Sequence, residues 1–301
     1  MSVFNYLVAK TIMHVPKPVV GHFAKRYIAG EELNDAIQAT RRLNHQGVMA
    51  TIDVLGESIT SKSQALDFKN QCFNILKRVS SEGLDANLSL KPTQMGLLLD
   101  RDFAFENIRA IVSLASDLGN FVRIDMEDIL CTDFTLEFYR RLIEKFKGCL
   151  GTVLQSYLRR TSNDIETLSA YPLNIRLCKG IYNEPWAAAY KDPAIVNNNY
   201  VRCLDKLFNC GAYVGIATHD EKLIFEALRL IETYGLQSKE YEFQMLLGVN
   251  ETLRDMLVAD GHRLRVYVPF GRSWLPYSRR RLKENPTIAR HALKQILRWH
   301  Q

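Results

Sequence analysis

Apolar residues gather in eight short runs along the chain. They are "GVMATIDVLG" (47–56), "DANLSLKPTQMG" (85–96), "FVRIDMED" (121–128), "LGTVLQSYL" (150–158), "LNIRLCKGIY" (173–182), "AYVGIATHD" (212–220), "YEFQMLLGV" (241–249) and "RLRVYVPFG" (263–271). Most are rich in Val, Ile, Leu and aromatic residues and are bounded by Gly, Pro, Asn or Asp, as buried strands are. Between them lie stretches such as "SQALDFKNQCFNILKRVSSEG" and "DEKLIFEALRLIETYG", whose apolar residues fall three and four apart, the period of an amphipathic helix. The second runs from Asp220, a helix-capping type, to Gly235, a helix-ending type. Eight strands alternating with helices, at a pitch of roughly thirty residues, predict an α/β fold closed into a parallel (β/α)8 barrel. A doubly wound open sheet is the competing architecture. Residues 1–46 read as an N-terminal helical extension, and residues 47–301 as one barrel domain with its C-terminal helices. No low-complexity linker or charge-rich hinge divides the chain.

A chain of 301 residues, 47% apolar, can bury a core of that size. No apolar run approaches the ~20 residues that a bilayer span needs. The opening "MSVFNYLVAKTIMHVPKPVV" carries Lys10, His14 and Lys17 and no small-residue cleavage site. It reads as a leading amphipathic helix rather than a secretory signal. Cysteines 72, 131, 149, 178, 203 and 210 form no C-x-x-C pair and no metal-finger spacing. That is the pattern of reduced core thiols in an intracellular protein. The net charge of +6 is uneven: Arg263 to Gln301 holds ten Lys/Arg against one acidic residue, so the first 262 residues are net negative. A basic tail suits nucleic acid, an anionic membrane surface or an acidic ligand, and charge alone does not choose.

In β/α barrels the chemistry gathers where strands end. Here Lys91 follows "LSL", Asp125 follows "VRI", and Gln155 follows "TVL". Arg176 sits in "NIRLCKG" with Lys179 three residues on, Thr218 and His219 follow "GIA", Gln244 closes "YEF", and Tyr267 sits in "RVYVP". Any one has a blander reading as a solvated strand end or a cap for the next helix. Asp125 opens an acidic stretch with Glu127 and Asp128, as many helix starts do. Seven strands feeding one rim describe a polar pocket instead. The seven histidines include no H-E-x-x-H and no second ligand beside His219, so no metal site is expected. Nor is there a G-x-S-x-G nucleophile elbow or a G-x-G-x-x-G dinucleotide fingerprint.

After the eighth strand, "GRSWLPYSRRRLKENP" reads as a helix that Asn285-Pro286 ends. On it Tyr277, Arg280, Arg281 and Glu284 fall at i, i+3, i+4 and i+7 and share one face. Arg279 lies about 100° around and is expected on the solvent side. Two arginines braced by a carboxylate suit bidentate binding of a small carboxylate or phosphate. A solvated helix face and a nucleic-acid contact stay open, the latter disfavoured because basic residues are not spread over a broad surface.

Taken together, "IDMED", "LQSYLRRT", "IRLCKGIY", "ATHD", "EFQMLLGV", "VYVPFG" and "YSRRRLKE" resemble, in order, the motifs of the proline dehydrogenases. The resemblance runs from about Gly47 to Glu284 and matches the monofunctional members in length. It implies a distorted (β/α)8 barrel that binds FAD and oxidises L-proline to (S)-1-pyrroline-5-carboxylate by hydride transfer to flavin N5. By the same resemblance Arg280 and Arg281 match the pair that holds the proline carboxylate, Glu284 the acid that orients them, and Tyr267 and Tyr277 the aromatic walls. Lys91 and Asp125 match the charged pair nearest the substrate, and Arg176 the arginine at the reactive edge of the flavin. Met126, Gln155, Lys179, Gly180, Ile181, Thr218 and His219 align with flavin-contacting positions.

The resemblance further implies a membrane quinone as electron acceptor and a separate pyrroline-5-carboxylate dehydrogenase downstream, with no nucleic-acid partner. It places the protein in the cytoplasm, peripheral to the inner face of the membrane, with "ARHALKQILRWHQ" (289–301) as the candidate interfacial helix. The alternatives are a hydroxyproline-preferring relative and a flavin-free barrel enzyme acting on a carboxylated or phosphorylated metabolite.

Overall fold

The computed structural model describes residues 17–56 and 59–284. Eight parallel strands close into a barrel in chain order, β1 pairing with both β2 and β8. They are β1 (Met49–Val54), β2 (Ala86–Leu90), β3 (Val122–Ile124), β4 (Leu150–Gln155), β5 (Asn174–Cys178), β6 (Tyr213–Ala217), β7 (Tyr241–Leu246) and β8 (Leu264–Phe270). Each lies inside one of the eight runs read from the sequence, and the open sheet is excluded by the β1–β8 pairing.

Two helices precede the barrel, α1 (Lys17–Tyr27) and α2 (Leu33–His45). Seven α-helices then alternate with the strands: α3 (Lys62–Ser81), α4 (Arg101–Asp117), α5 (Ile129–Ile143), α6 (Thr161–Leu168), α7 (Pro193–Asn209), α8 (Glu221–Tyr234) and α9 (Glu251–Ala259). A last one, α10 (Trp274–Glu284), follows β8 and packs against α1. The starts are fixed by side chains that accept otherwise orphaned backbone N–H groups. Asp100 accepts from Phe103, Asp128 from Leu130 and Cys131, Asp192 from Ala194 and Ile195, and Asp220 from Lys222. Helix α8 ends, as its sequence predicts, on Gly235 with φ 63°, a left-handed torsion that glycine adopts without a Cβ penalty.

The strands obey a two-residue alternation that sorts the barrel into two environments. Ile52, Leu88, Leu90, Ile124, Leu154, Ile175, Leu177, Val214, Ile216, Phe243, Met245 and Val266 join the apolar core shared with the helices. The intervening positions, among them Asp53, Ser89, Arg123, Gln155, Arg176, Glu242, Gln244 and Arg265, are buried and polar or charged. Branched apolar residues usually fill such an interior; here it is a hydrogen-bonded polar column. All six cysteines are free thiols, five of them buried or partly buried. Among the described residues no helix is long and apolar enough to cross a membrane, and no His/Cys/Asp/Glu group is placed to hold a metal.

Candidate active site at the C-terminal mouth of the barrel

All eight strands contribute to one cavity of about 620 Å3 at their C-terminal ends. Asp53 comes from β1, Lys91 and Asp125 from just beyond β2 and β3, Gln155 from β4 and Arg176 from β5. Thr218 follows β6, and Gln244 and Tyr267 come from β7 and β8. The sequence-predicted rim is therefore a single site.

Asp125 is its centre. One carboxylate oxygen accepts from Arg176 Nη1 at 2.7 Å and from the Ser89 hydroxyl at 2.6 Å, and the other from the Tyr267 hydroxyl at 3.1 Å. Lys91 Nζ stands 3.9 Å from that second oxygen and donates to Asp53 Oδ1 at 2.7 Å. Two cations and two anions thus interlock, with Asp53 1% exposed and Asp125 and Arg176 each 8%. Burial pushes the Asp53 carboxyl up, and the Lys91 ammonium opposes that shift without cancelling it. Lys91 runs the other way: burial favours its neutral form, but Asp53 and Asp125 outweigh this and hold it firmly protonated. The Tyr267 hydroxyl, buried beside two carboxylates, is kept from ionising and remains a hydrogen-bond donor.

The expected flavin-contacting residues line the same cavity: Met126, Gln155, Lys179, Gly180, Ile181, Thr218 and His219. Lys179 Nζ pairs with Asp220 Oδ2 at 2.7 Å, which links the β5 loop to the start of α8. His219 Nε2 accepts the Leu246 N–H at 2.9 Å, so that nitrogen is unprotonated and the ring is tied to the end of β7. The Gln155 side-chain oxygen is buried with no partner among the described residues. A buried orphan acceptor fits a ligand that brings its own N–H, as the imide of an isoalloxazine does. Gly180 has φ 106°, and a Cβ there would lie 2.1 Å from the Tyr157 ring, so only glycine fits this turn. These features fit an extended heteroaromatic cofactor lying across the strand ends.

Tyr277, the first member of the α10 stripe, is 7% exposed and forms part of the cavity wall. The side chains of Arg280, Arg281 and Glu284 lie outside the described residues, as does the 289–301 segment. Arg279 departs from expectation. It is half-buried, and its Nε is out of solvent with no partner among the described residues; α10 is a packed helix, set against α1, and not an isolated one.

The sequence model of the proline dehydrogenase family matches residues 36–292. The chain is 37% identical to the proline dehydrogenase of Deinococcus radiodurans over 281 residues, covering 92% of this chain and 91% of the relative. Against proline dehydrogenase 1 of Bacillus subtilis strain 168 it is 36% identical over 275 residues, 91% of each chain. The chain belongs to the proline dehydrogenase family. Membership makes it an oxidoreductase of proline catabolism. In three dimensions it is similar to proline utilization A (PutA) of Bdellovibrio bacteriovorus, a structure inactivated by N-propargylglycine. The TM-score is 0.81 at 25% identity, covering 87% of this chain and 32% of that larger one.

Within this proline dehydrogenase barrel, sequence reading missed Asp53 and Ser89, and it noted Gln244 without giving it a partner. Their signal was present as alternation. In "TIDV", "NLSL" and "YEFQ" every second residue is polar inside a strand whose other residues are core. Asp53 and Ser89 precede the strand end, where attention to the rim does not reach. Of the acidic stretch, Asp128 caps α5, while Glu127 accepts the Thr93 backbone N–H at 2.9 Å and the Thr93 hydroxyl at 2.6 Å, which fixes the loop beyond Lys91.

Proposed function

We propose that this chain oxidises L-proline to (S)-1-pyrroline-5-carboxylate with FAD as cofactor. Electrons pass on to a quinone, and a separate pyrroline-5-carboxylate dehydrogenase consumes the product. The observation that carries this reading is the interlocked Asp53–Lys91–Asp125–Arg176 cluster at the mouth of the barrel, beside the α10 wall. It offers fixed charge of both signs to a zwitterionic substrate.

FAD, when bound, supplies the two-electron acceptor for a hydride leaving the ring carbon beside nitrogen. Met126, Gln155, Lys179, Gly180, Ile181, Thr218 and His219 are the residues that would hold it. The chain's own work is binding, orientation and charge control. Arg280 and Arg281, braced by Glu284, take the substrate carboxylate, and Tyr267 and Tyr277 form walls that exclude water. Loss of hydride requires the nitrogen lone pair, so the ammonium proton leaves first, and Asp125 is the carboxylate positioned near the amine. Arg176 supplies positive charge to the acceptor face of the cavity. Lys91 and Asp53 keep the floor of the site close to neutral, so that neither the zwitterion nor the neutral amine is repelled.

The deciding experiment is the absorption spectrum of the purified protein. Flavin bands that bleach on anaerobic addition of L-proline are expected, with trans-4-hydroxy-L-proline a poorer reductant. A colourless protein that neither retains nor takes up FAD overturns the proposal. The basic helix α10 then returns as an anion clamp in a flavin-free barrel.

A further inference from the structure

Arg176 is held at two points. Nη1 reaches Asp125, and Nε donates to the Gln244 side-chain oxygen at 2.6 Å. Gln244 donates in turn from Nε2 to Glu242 Oε1 at 2.6 Å. Glu242 is 2% exposed and also accepts from Arg265 Nε at 2.8 Å and from the Tyr213 hydroxyl at 2.9 Å. The donors and acceptors leave one solution for the Gln244 amide: its oxygen must face a guanidinium and its nitrogen a carboxylate. A flipped amide would set donor against donor and acceptor against acceptor.

Strand register adds an independent observation. Arg176 on β5 is level with Gly215 on β6, which is level with Glu242 on β7. Gln244 must therefore lean across β6 to reach Arg176, and it does so over the one residue there that has no side chain. A Cβ at Gly215 would stand 2.4 Å from Gln244 Nε2 and 2.8 Å from its Cδ. Gly215 is not among the glycines with positive φ, so torsion does not demand it. Space does.

We propose that Gly215, Gln244 and Glu242 are positioning residues for Arg176: the carboxylate orients the amide, the amide anchors Nε, and the glycine leaves room for both. With Nε anchored, the guanidinium plane is fixed and Nη1 is aimed at Asp125. Without it, the guanidinium is held by hydrogen bonds through Nη1 alone, at 2.7 Å to Asp125 and 3.5 Å to the Ser89 hydroxyl, and by its place over the Tyr267 ring, so rotation about the end of a long flexible side chain is no longer stopped at Nε. This rests on the role assigned to Arg176 above.

The test uses FAD-loaded enzyme and the variants Gln244→Ala, Gly215→Ala and Arg176→Met, singly and paired. Gln244→Ala and Gly215→Ala should each lower kcat about tenfold, the worth of one charge-assisted hydrogen bond. KM for proline and the dissociation constant of a non-oxidisable proline analogue, read from the flavin absorbance, should stay within about twofold. Gly215→Ala should add nothing in the Gln244→Ala background, nor Gln244→Ala in the Arg176→Met background, since residues acting through one group are not additive. If Arg176→Met is impaired while Gln244→Ala is not, or if their losses multiply, the positioning role is wrong. If Arg176→Met itself turns over proline like the wild type, the role given to Arg176 fails and takes this proposal with it. Lower melting temperatures with an unchanged ratio of kcat to KM would mean that the three residues are structural only.

Discussion

Replacing Asp53 by Asn removes one charge from a buried quartet and little volume. Lys91 Nζ lies 2.7 Å from Asp53 Oδ1 and 3.9 Å from Asp125 Oδ2. At an effective dielectric of about 20 these attractions are ~6 and ~4 kcal/mol. The loss of the first is offset by relief of the desolvation penalty on Asp53, itself several kcal/mol, and of its repulsion with Asp125. Asn also keeps an oxygen for the ammonium. The net destabilisation is then about 2–4 kcal/mol, below the full ~3–5 kcal/mol of a buried pair broken outright. At roughly 2 °C per kcal/mol for a domain of this size, Tm should fall by about 4–8 °C. Because the pocket gains one net positive charge next to the incoming ammonium, KM for proline should rise about tenfold, or ~1.4 kcal/mol. Thermal melts and steady-state kinetics with a soluble dye acceptor read both quantities. Lys91→Met strands Asp53 and should be worse, and the double variant should recover part of the combined loss. If Asp53→Asn melts within about 1 °C of the wild type and the two substitutions add, the pair is not coupled and the argument from burial is refuted.

Arg280→Met or Arg281→Met should raise KM for proline roughly 30-fold or more, the result of ~2 kcal/mol or more lost from a buried charge pair. Half-buried Arg279→Met should lower Tm instead and leave KM nearly unchanged; equal KM effects at all three positions would remove the carboxylate clamp. Glu242 shows a pH dependence whose sign is fixed by its neighbours: burial alone would raise its carboxyl, but Arg265 with Gln244 holds it at about 2 against an ordinary 4.5. A depressed acid stabilises the fold above its unfolded value, and that contribution, ~3 kcal/mol at ~1.4 per unit, is lost as pH falls from about 4.5 toward 2. Glu242→Gln should flatten the acid limb of Tm against pH, whereas an unchanged limb would show that other groups govern acid unfolding. Gly180→Ala, driven against the Tyr157 ring, should weaken FAD retention at least tenfold, read as flavin released on gel filtration. Undiminished retention would mean the turn does not touch the cofactor.

The elements and their order were legible in the chain. Strands announce themselves by local composition, helices by a 3.6-residue period, and caps such as Asp220 and Gly235 by side-chain chemistry within a few residues, so all eight strands and the rim they feed were legible. Which polar residues meet is settled in three dimensions. Asp53 and Lys91 are 38 positions apart, Asp125 and Arg176 51, and Arg176 and Gln244 68. Their contacts follow from strand register and barrel closure, which no local pattern specifies. The same limit explains Arg279. The angles of an isolated helix put it on the solvent side and cannot include the packing of α10 against α1. Likewise, what requires glycine at 215 is the Gln244 amide from β7, which occupies the volume where a side chain would be as it crosses toward β5.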